Sequence, residues 1–523
     1  MQNLRRLSQG IFLFLFLFLF LQTESKGQDE LGYPVKIFLD FDPLILITTL
    51  LSAHSAASAF YFSIITIILT LILGRVFCGW ICPLGTLNNI TGSLRKQQSN
   101  TPSRDWHRVK YYILIFLLVS SLFTLQLAGI MDPISLLIRS LSVSIYPLFN
   151  YAVRAFFDTL YYLNIPGIVN ISEAVYSILK QSVLSFHQPY FKQSAFIGII
   201  FIFILGLNFV EKRFWCKYLC PLGALLGILS RFSILKRSIS EGCTSCGACA
   251  SACQGGAAPD KIGKWKDTEC LYCFNCDDVC PQNAVSFDFH PPLSPLAKGG
   301  IKEGYGGLDL GRRRVIVSMA SGIITVPLLR TTPFFKPVSN PLLIRPPGSL
   351  EEKEFLRRCV KCGKCMKVCI TNGLQPTLFE VGIEGIWSPV LVSRIGYCEY
   401  RCTLCGQVCP TGAIRRLTLE EKANFKIGLA MLDKGRCLPY AHAMPCIVCE
   451  EVCPTPKKAI WLDEVLVKDR DGKEIIVQQP RIDLELCIGC GICEKKCPVV
   501  DKPAIYVTSI GETRSKENQL LLS

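Results

Sequence analysis

CLYCFNCDDVCP, residues 270–281, spaces its cysteines as C-x2-C-x2-C-x3-C-P. Three thiolates this close can wrap one face of a 4Fe–4S cubane, and the fourth, one turn on, reaches the other cluster of a pair. Five further quartets lie around it. Cys243, Cys246, Cys249 and Cys253 precede it with the same spacing, and Cys359, Cys362, Cys365 and Cys369 repeat it. So do Cys487, Cys490, Cys493 and Cys497. Cys398, Cys402, Cys405 and Cys409 widen the first gap by one residue, and Cys437, Cys446, Cys449 and Cys453 widen it to eight. Prolines 281, 410, 454 and 498 follow four of the six runs. Ile370 stands where such a proline often does, which should loosen a turn without removing a ligand.

These runs take 24 of the 28 cysteines and predict six 4Fe–4S clusters. A zinc site wants two knuckles set further apart, and disulfides between such close neighbours are geometrically awkward. The crossed rule assigns one cluster to Cys243, Cys246, Cys249 and Cys280, and another to Cys270, Cys273, Cys276 and Cys253. No Cys-x-x-Cys-His occurs, which excludes covalent c-type haem on motif grounds, and five histidines are too few for a haem relay.

Cys78, Cys82, Cys216 and Cys220 remain, inside the twin octapeptides CGWICPLG (78–85) and CKYLCPLG (216–223). Each follows an apolar segment that an Asp-Pro opens, Asp42-Pro43 and Asp132-Pro133. The Asp-Pro reads as a helix start, with Asp as N-cap and Pro at N1. A parallel repeat of this kind implies a pseudo-two-fold axis along a membrane normal. Three readings of the four cysteines stay open: a further iron–sulfur or metal centre, a thiol/disulfide relay, or a structural role.

Half of the 523 residues are hydrophobic, and the formal charge is +15. Many basic residues flank apolar segments, where the positive-inside rule wants them, so nucleic acid is not the expected partner. Spans are expected at about 58–77, 111–130, 194–210 and 315–330. Arg95, Lys96, Arg104, Arg108 and Lys110 place the first inner loop in the cytoplasm. Lys212, Arg213, Lys217, Arg231, Lys236 and Arg237 do the same for the segment after the third span. Residues 1–25 combine Arg5 and Arg6 with the run Ile11–Leu21, which is short for a span of roughly 20 residues and suits a signal peptide or signal anchor.

The expected fold is therefore an α-helical membrane domain, about four spans plus a signal-like N-terminus, carrying α+β bacterial-ferredoxin-like 4Fe–4S domains. Its divisions are a signal segment (1–25), a membrane domain with the two C-x3-C-P repeats (26–237) and a cytoplasmic dicluster ferredoxin domain (238–290). A linker with a span follows (291–334), then a periplasmic four-cluster domain (335–523).

With these motifs in place, residues 40–285 resemble the NapH-type membrane ferredoxins, a group that includes NosR- and MauN-like proteins. The carrying segments are GRVFCGWICPLG, FWCKYLCPLG and the two ferredoxin runs. Residues 311–510 resemble the NapG and MauM ferredoxins through RPPGSLEEKEFLRRCVKCGKC, IGYCEYRCTLCGQVCPTGAI and PCIVCEEVCPTPKKAI. GRRRVIVSMASGIITVPLL, residues 311–329, looks like a degenerate twin-arginine signal. The arrangement also resembles the four-cluster subunits of bacterial oxidoreductases, in which the first motif pairs with the fourth and the second with the third. That resemblance would join Cys359, Cys362 and Cys365 to Cys497, and Cys398, Cys402 and Cys405 to Cys453.

The resemblance implies a quinol dehydrogenase component in the bacterial inner membrane, multi-pass, that oxidises quinol and hands electrons to a periplasmic cytochrome or reductase. The alternative is a non-enzymatic conduit or maturation factor that carries cytoplasmic electrons to a periplasmic metalloenzyme. Histidine titrates near neutral pH, so His54 and His187, in the outer segments of the two repeats, are candidate quinol-proton acceptors.

Overall fold

The computed structural model describes residues 1–24, 29–54, 61–94, 106–163, 168–258, 265–289, 310–331, 340–468, 472–515 and 518. The linker at 291–309, the signal boundary at residue 25, and Arg95, Lys96 and Arg104 lie outside them. The longer helices are α1 (Gln2–Leu21), α2 (Pro43–Ala53), α3 (Phe62–Leu73), α4 (Pro83–Ser93), α5 (Val109–Leu122) and α6 (Pro133–Ser140). They continue with α7 (Tyr146–Leu163), α8 (Ile168–Ser182), α9 (Ser194–Gly206), α10 (Pro221–Ser230) and α11 (Arg312–Thr331). The chain divides into two compact units. Unit 1 holds Met1–Phe20, Lys36–Ser140 and Phe196–Leu328, and unit 2 holds Leu21–Val35, Leu141–Ala195 and Leu329–Ser523.

In unit 1, α5 packs on α2 and α10, and α10 packs on α3. The polarity of α3 is inverted. The buried residues of α3 are Ser63, Thr66 and Thr70, while Ile64, Ile65, Ile68 and Ile72 are exposed. Gln126 Nε2 donates to the Thr49 hydroxyl at 3.2 Å in the interior, and Ile199, Ile202 and Phe203 of α9 face outward. A water-soluble core sorts its residues the other way. The apolar segments fold shorter than a single crossing needs: α3 has 12 residues, α5 has 14 and α9 has 13. By length and composition, the helices able to cross a bilayer among the described residues are Gln2–Leu21 and Pro133–Leu163. The twin-arginine-like stretch forms α11, where a Cβ on Gly322 would come within 3.0 Å of Val119. That contact seats the Val119 side chain of α5 directly on the backbone of α11.

The Asp-Pro pairs cap helices as their sequence implies. Asp42 accepts from Leu44 N at 2.8 Å and Asp132 from Ser135 N at 2.8 Å, opening α2 and α6. The C-x3-C segments are not continuous α-helix. Phe77–Ile81 and Trp215–Leu219 form single π turns, after which Cys82 and Cys220 act as N-caps of α4 and α10. Their sulfurs accept from Gly85 N at 3.4 Å and Gly223 N at 3.2 Å. An i, i+4 thiol pair on one helical face is thus replaced by a turn that points both sulfurs inward.

Strands β1 (Leu235–Ile239) and β2 (Val285–Phe289) pair antiparallel around the first two cysteine motifs. Unit 2 repeats the plan twice. Residues Gly348–Leu350 and Ala413–Arg415 pair around the motifs at 359–369 and 398–409, with the hairpin β3 (Leu374–Pro376) and β4 (Pro389–Leu391) between them. Strand β5 (Leu429–Leu432) ends up beside β8 (Ile505–Thr508), enclosing the motifs at 437–453 and 487–497. The long hairpin β6 (Ile460–Lys468) and β7 (Glu474–Ile482) is the insertion between those two.

Candidate functional site

Four cavities in unit 2 are each lined by four cysteines. Cys359, Cys362 and Cys365 share one with Cys409, and Cys398, Cys402 and Cys405 share one with Cys369. Cys437, Cys446 and Cys449 meet Cys497 around the third, and Cys487, Cys490 and Cys493 meet Cys453 around the fourth. This corrects the pairing of the first motif with the fourth and the second with the third. Each motif exchanges its last cysteine with its neighbour in sequence. The physical reason is local: the strands that flank two consecutive motifs zip together and fold one motif onto the next.

The quartets fit iron–sulfur clusters. Among the described residues no three His, Cys, Asp or Glu side chains converge on a point as a single metal ion would require. Four thiols instead stand around a larger void, which suits a polynuclear group. In the motifs with the parent spacing, the residues on both sides of the second cysteine are left-handed: Ser245 and Gly247, Tyr272 and Phe274, Lys361 and Gly363, Gly489 and Gly491. In the widened motifs the following residue has negative φ, −116° at Thr403 and −117° at Ile447. The added residues let the loop reach the same ligand positions without the strained pair. At Ile370 the missing proline costs little, because Thr371 hydrogen-bonds the carbonyl of Tyr397 and sits 3.6 Å from Cys369 Sγ.

A carboxylate clamp holds the first module of unit 2. Arg345 Nη2 and Arg514 Nη1 donate to the two oxygens of Glu352 at 2.6 and 2.7 Å. Burial opposes ionisation there, but the two guanidiniums outweigh it and hold the Glu352 carboxyl down to about 2. A depressed carboxylate stabilises the fold above its unfolded value and stops doing so as the pH falls through its folded value. Between pH 5 and 2 the wild type should therefore lose about 2 kcal/mol that Glu352→Gln lacks already. Urea unfolding of both proteins across that window checks it, and parallel pH curves would exclude the clamp.

In unit 1, Cys253 lies within electrostatic reach of Cys270, Cys273 and Cys276, as the crossed rule expects. Cys243 and Cys246 are exposed, so the other quartet of this module faces the surface. The loop 268–274 is docked on the first C-x3-C turn. Trp80 Nε1 donates to Tyr272 O at 2.9 Å and Arg75 Nη1 to Thr268 O at 2.9 Å. A Cβ on Gly79 would come within 2.5 Å of Leu271 O, so only glycine permits this approach. Phe274, left-handed despite its side chain, packs its ring 4.5 Å from that of Phe287 and edge-on to Trp80. Beneath the loop, Glu269 accepts from Lys110, from Tyr111 at 2.8 Å and from Arg75 at 3.4 Å.

Cys78, Cys82, Cys216 and Cys220 gather within electrostatic reach of one another. Three of them are buried and Cys216 is half-buried. Around them lie the wholly buried Arg75, Arg213 and Lys110, of which Arg75 and Lys110 share the acid Glu269. Arg213 donates to Cys78 O at 3.4 Å, and its Nε and Nη2 lack a hydrogen-bond partner among the described residues. Buried cations in excess of acids are costly unless an anionic group sits among them.

The histidines are elsewhere. His54 is the exposed, left-handed C-cap of α2 in unit 1, and His187 is exposed in unit 2 with its ring edge-on to Phe186. Asp42 and Asp132, by contrast, are fully buried and within electrostatic reach of each other, and Asp42 Oδ2 and Asp132 Oδ1 have no hydrogen-bond partner among the described residues. The repeat of Asp-Pro announces two caps in the sequence but carries no signal that the caps meet.

A model described as a 4Fe-4S binding domain matches the chain at residues 55–102 and again at 194–240, the two halves of the repeat. A second model of that description matches residues 480–500. The methylamine utilization ferredoxin-type protein MauM of Methylorubrum extorquens is 36% identical over 168 residues, 31% of this chain and 71% of MauM. The ferredoxin-type protein NapG of Escherichia coli is 34% identical over 202 residues, 38% of this chain and 85% of NapG. The putative electron transport protein YccM of the same organism is 27% identical over 255 residues, 46% of this chain and 58% of YccM. No solved structure matches the chain. With ferredoxin motifs folded as cysteine-lined modules and relatives of this similarity, the chain belongs, over about a third of its length, to the NapG and MauM family of iron–sulfur, ferredoxin-type proteins.

Proposed function

We propose that the protein is a multi-pass protein of the bacterial inner membrane that carries electrons from quinol to a periplasmic redox partner. Its NapG/MauM-like part is fused to a NapH-type membrane ferredoxin. The observation that carries this reading is the inverted polarity of α3 in unit 1, with Ser63, Thr66 and Thr70 inside and isoleucines outside, in the same unit on which a ferredoxin module is docked. Polar residues facing the inside of a helix bundle are what a hydrocarbon surround selects. In this reading α3, α5, α9 and α11, each with its flanking turns, make four crossings, and residues from about 331 onward are periplasmic.

The 24 motif cysteines hold six 4Fe–4S clusters, and Cys78, Cys82, Cys216 and Cys220 hold a further iron–sulfur centre. Each bound cluster takes up or gives one electron at a time, which suits splitting the electron pair of a quinol. The chain's own contribution is placement. The π turns bring four sulfurs into one enclosed region, Arg75, Arg213 and Lys110 supply balancing charge, and Trp80 and Glu269 hold the Cys270 loop against the first of those turns. Of the groups that could take a quinol proton, the buried Asp42–Asp132 pair is better enclosed than His54 or His187. If His54→Phe with His187→Phe leaves quinol-dependent reduction unchanged, the histidines have no such part.

The second reading, a conduit or maturation factor fed from the cytoplasm, is favoured by the exposed Cys243 and Cys246, a port for a soluble donor. Adding menaquinol to the purified, cluster-replete protein decides between them. Bleaching of the iron–sulfur absorbance is expected. No bleaching, with reduction by a cytoplasmic ferredoxin, would establish the conduit. Iron analysis of the same sample should exceed about 24 atoms per chain, the content of six 4Fe–4S clusters, if the four C-x3-C cysteines also bind iron.

A further inference from the structure

The N-terminal helix α1 has the composition of an export signal but not its surface. Arg5, Ser8 and Gln9 share one face, at i, i+3 and i+4, and that face is turned inward. Gln9 Nε2 donates to Gly79 O at 2.7 Å, inside the first C-x3-C turn, and Gln9 accepts from Asn89 at 3.4 Å. Ser8 Oγ donates to Trp80 O at 3.3 Å. Farther along, the ring of Phe16 packs edge-on against Phe38 at 5.3 Å. The opposite face exposes the apolar Leu4, Leu7, Ile11 and Phe14.

Arg5 is 2% exposed. Its Nε and Nη1 have no hydrogen-bond partner among the described residues, and the guanidinium lies within hydrogen-bonding reach of the Cys273 sulfur. The charged group nearest to it besides Arg6 is another cation, Arg213. A buried guanidinium without a carboxylate is strongly unfavourable. A thiolate sulfur of a net-anionic cluster removes that difficulty.

We propose that α1 is retained as a permanent part of unit 1 and that Arg5 donates to the Cys273 sulfur, setting the reduction potential of the cluster held by Cys253, Cys270, Cys273 and Cys276. Hydrogen bonds and positive charge at a ligating sulfur favour the more negative, reduced state. Arg5 is thus a positioning and tuning residue, contributed by a segment that resembles a disposable leader. The inference rests on the iron–sulfur reading of this quartet and not on quinol as the substrate.

Two measurements on the full-length, detergent-purified holoprotein test it. The intact mass of chain isolated from membranes should include α1, and a mature chain beginning near residue 26 would overturn the proposal whatever the clusters do. In redox titrations followed by electron paramagnetic resonance, Arg5→Gln should lower the midpoint of one cluster at least tenfold in its oxidised-to-reduced ratio, about 59 mV for one electron. Arg5→Lys should stay near wild type. Unchanged midpoints in Arg5→Gln would overturn the tuning role, as would loss of the cluster from both variants alike. Loss from Arg5→Gln with retention in Arg5→Lys would support it.

Discussion

Replacing Cys359 and Cys409 together by alanine is expected to remove about four iron atoms per chain, the content of one 4Fe–4S cluster. Replacing Cys359 and Cys497 together should remove about eight. The first pair lines one cavity, and the second pair lies in two. The arithmetic reverses under the pairing that joins the first motif to the fourth, so the two double variants decide between the folds without a structure. The same logic holds for Cys453, which belongs with Cys487, Cys490 and Cys493. Equal iron loss in the two double variants would mean that the flanking strands do not govern the exchange. The effect is large because a cubane short of a ligand in a half-exposed cavity has no protein donor in reserve, and a thiolate cannot be replaced by the methyl group of alanine.

The second large effect is expected at Glu269. Its carboxylate is 1% exposed, and it receives Lys110 and Arg75, themselves 0% and 1% exposed. Burial alone would push its carboxyl up, yet the two cations prevail and hold it below the ordinary value. Glu269→Ala leaves two buried cations facing each other with a single neutral phenol, Tyr111, between them. Breaking one side of a buried ionic group costs about 3–5 kcal/mol. Glu269→Gln, which keeps an acceptor for Tyr111, should cost less than the alanine. Thermal unfolding of unit 1, followed by far-ultraviolet dichroism in detergent, measures both. A loss below about 1 kcal/mol, the scale of an exposed ion pair, would mean that water reaches the site. Because Glu269 immediately precedes Cys270, the alanine variant should also lose the signal of the Cys270 cluster before the others.

What could be read in advance follows from the range of each interaction. The helix caps at Asp42 and Asp132 span two or three residues, and Asp-Pro states them directly. The apolar segments were legible by composition, but their length was not. Gly74 and the π turns at Phe77–Ile81 and Trp215–Leu219 break them, and these breaks serve the cysteines rather than the hydropathy. The docking of the Cys270 loop on Trp80 joins residues 192 apart and left no local trace. Arg5 misled most. A basic residue before an apolar run is the ordinary mark of a signal, and only the tertiary structure shows it buried beside Cys273.

The sequence by itself determined the cysteine quartets, because three of the four cysteines around each cavity lie within a dozen residues or so and their spacing is set by the reach of one loop. In unit 2 the fourth cysteine comes from another motif, and only the tertiary structure decided which one. The choice belongs to backbone pairing between distant strands, Leu429 with Thr508 and Gly348 with Arg415, whose hydrogen bonds are made by groups that every residue carries alike.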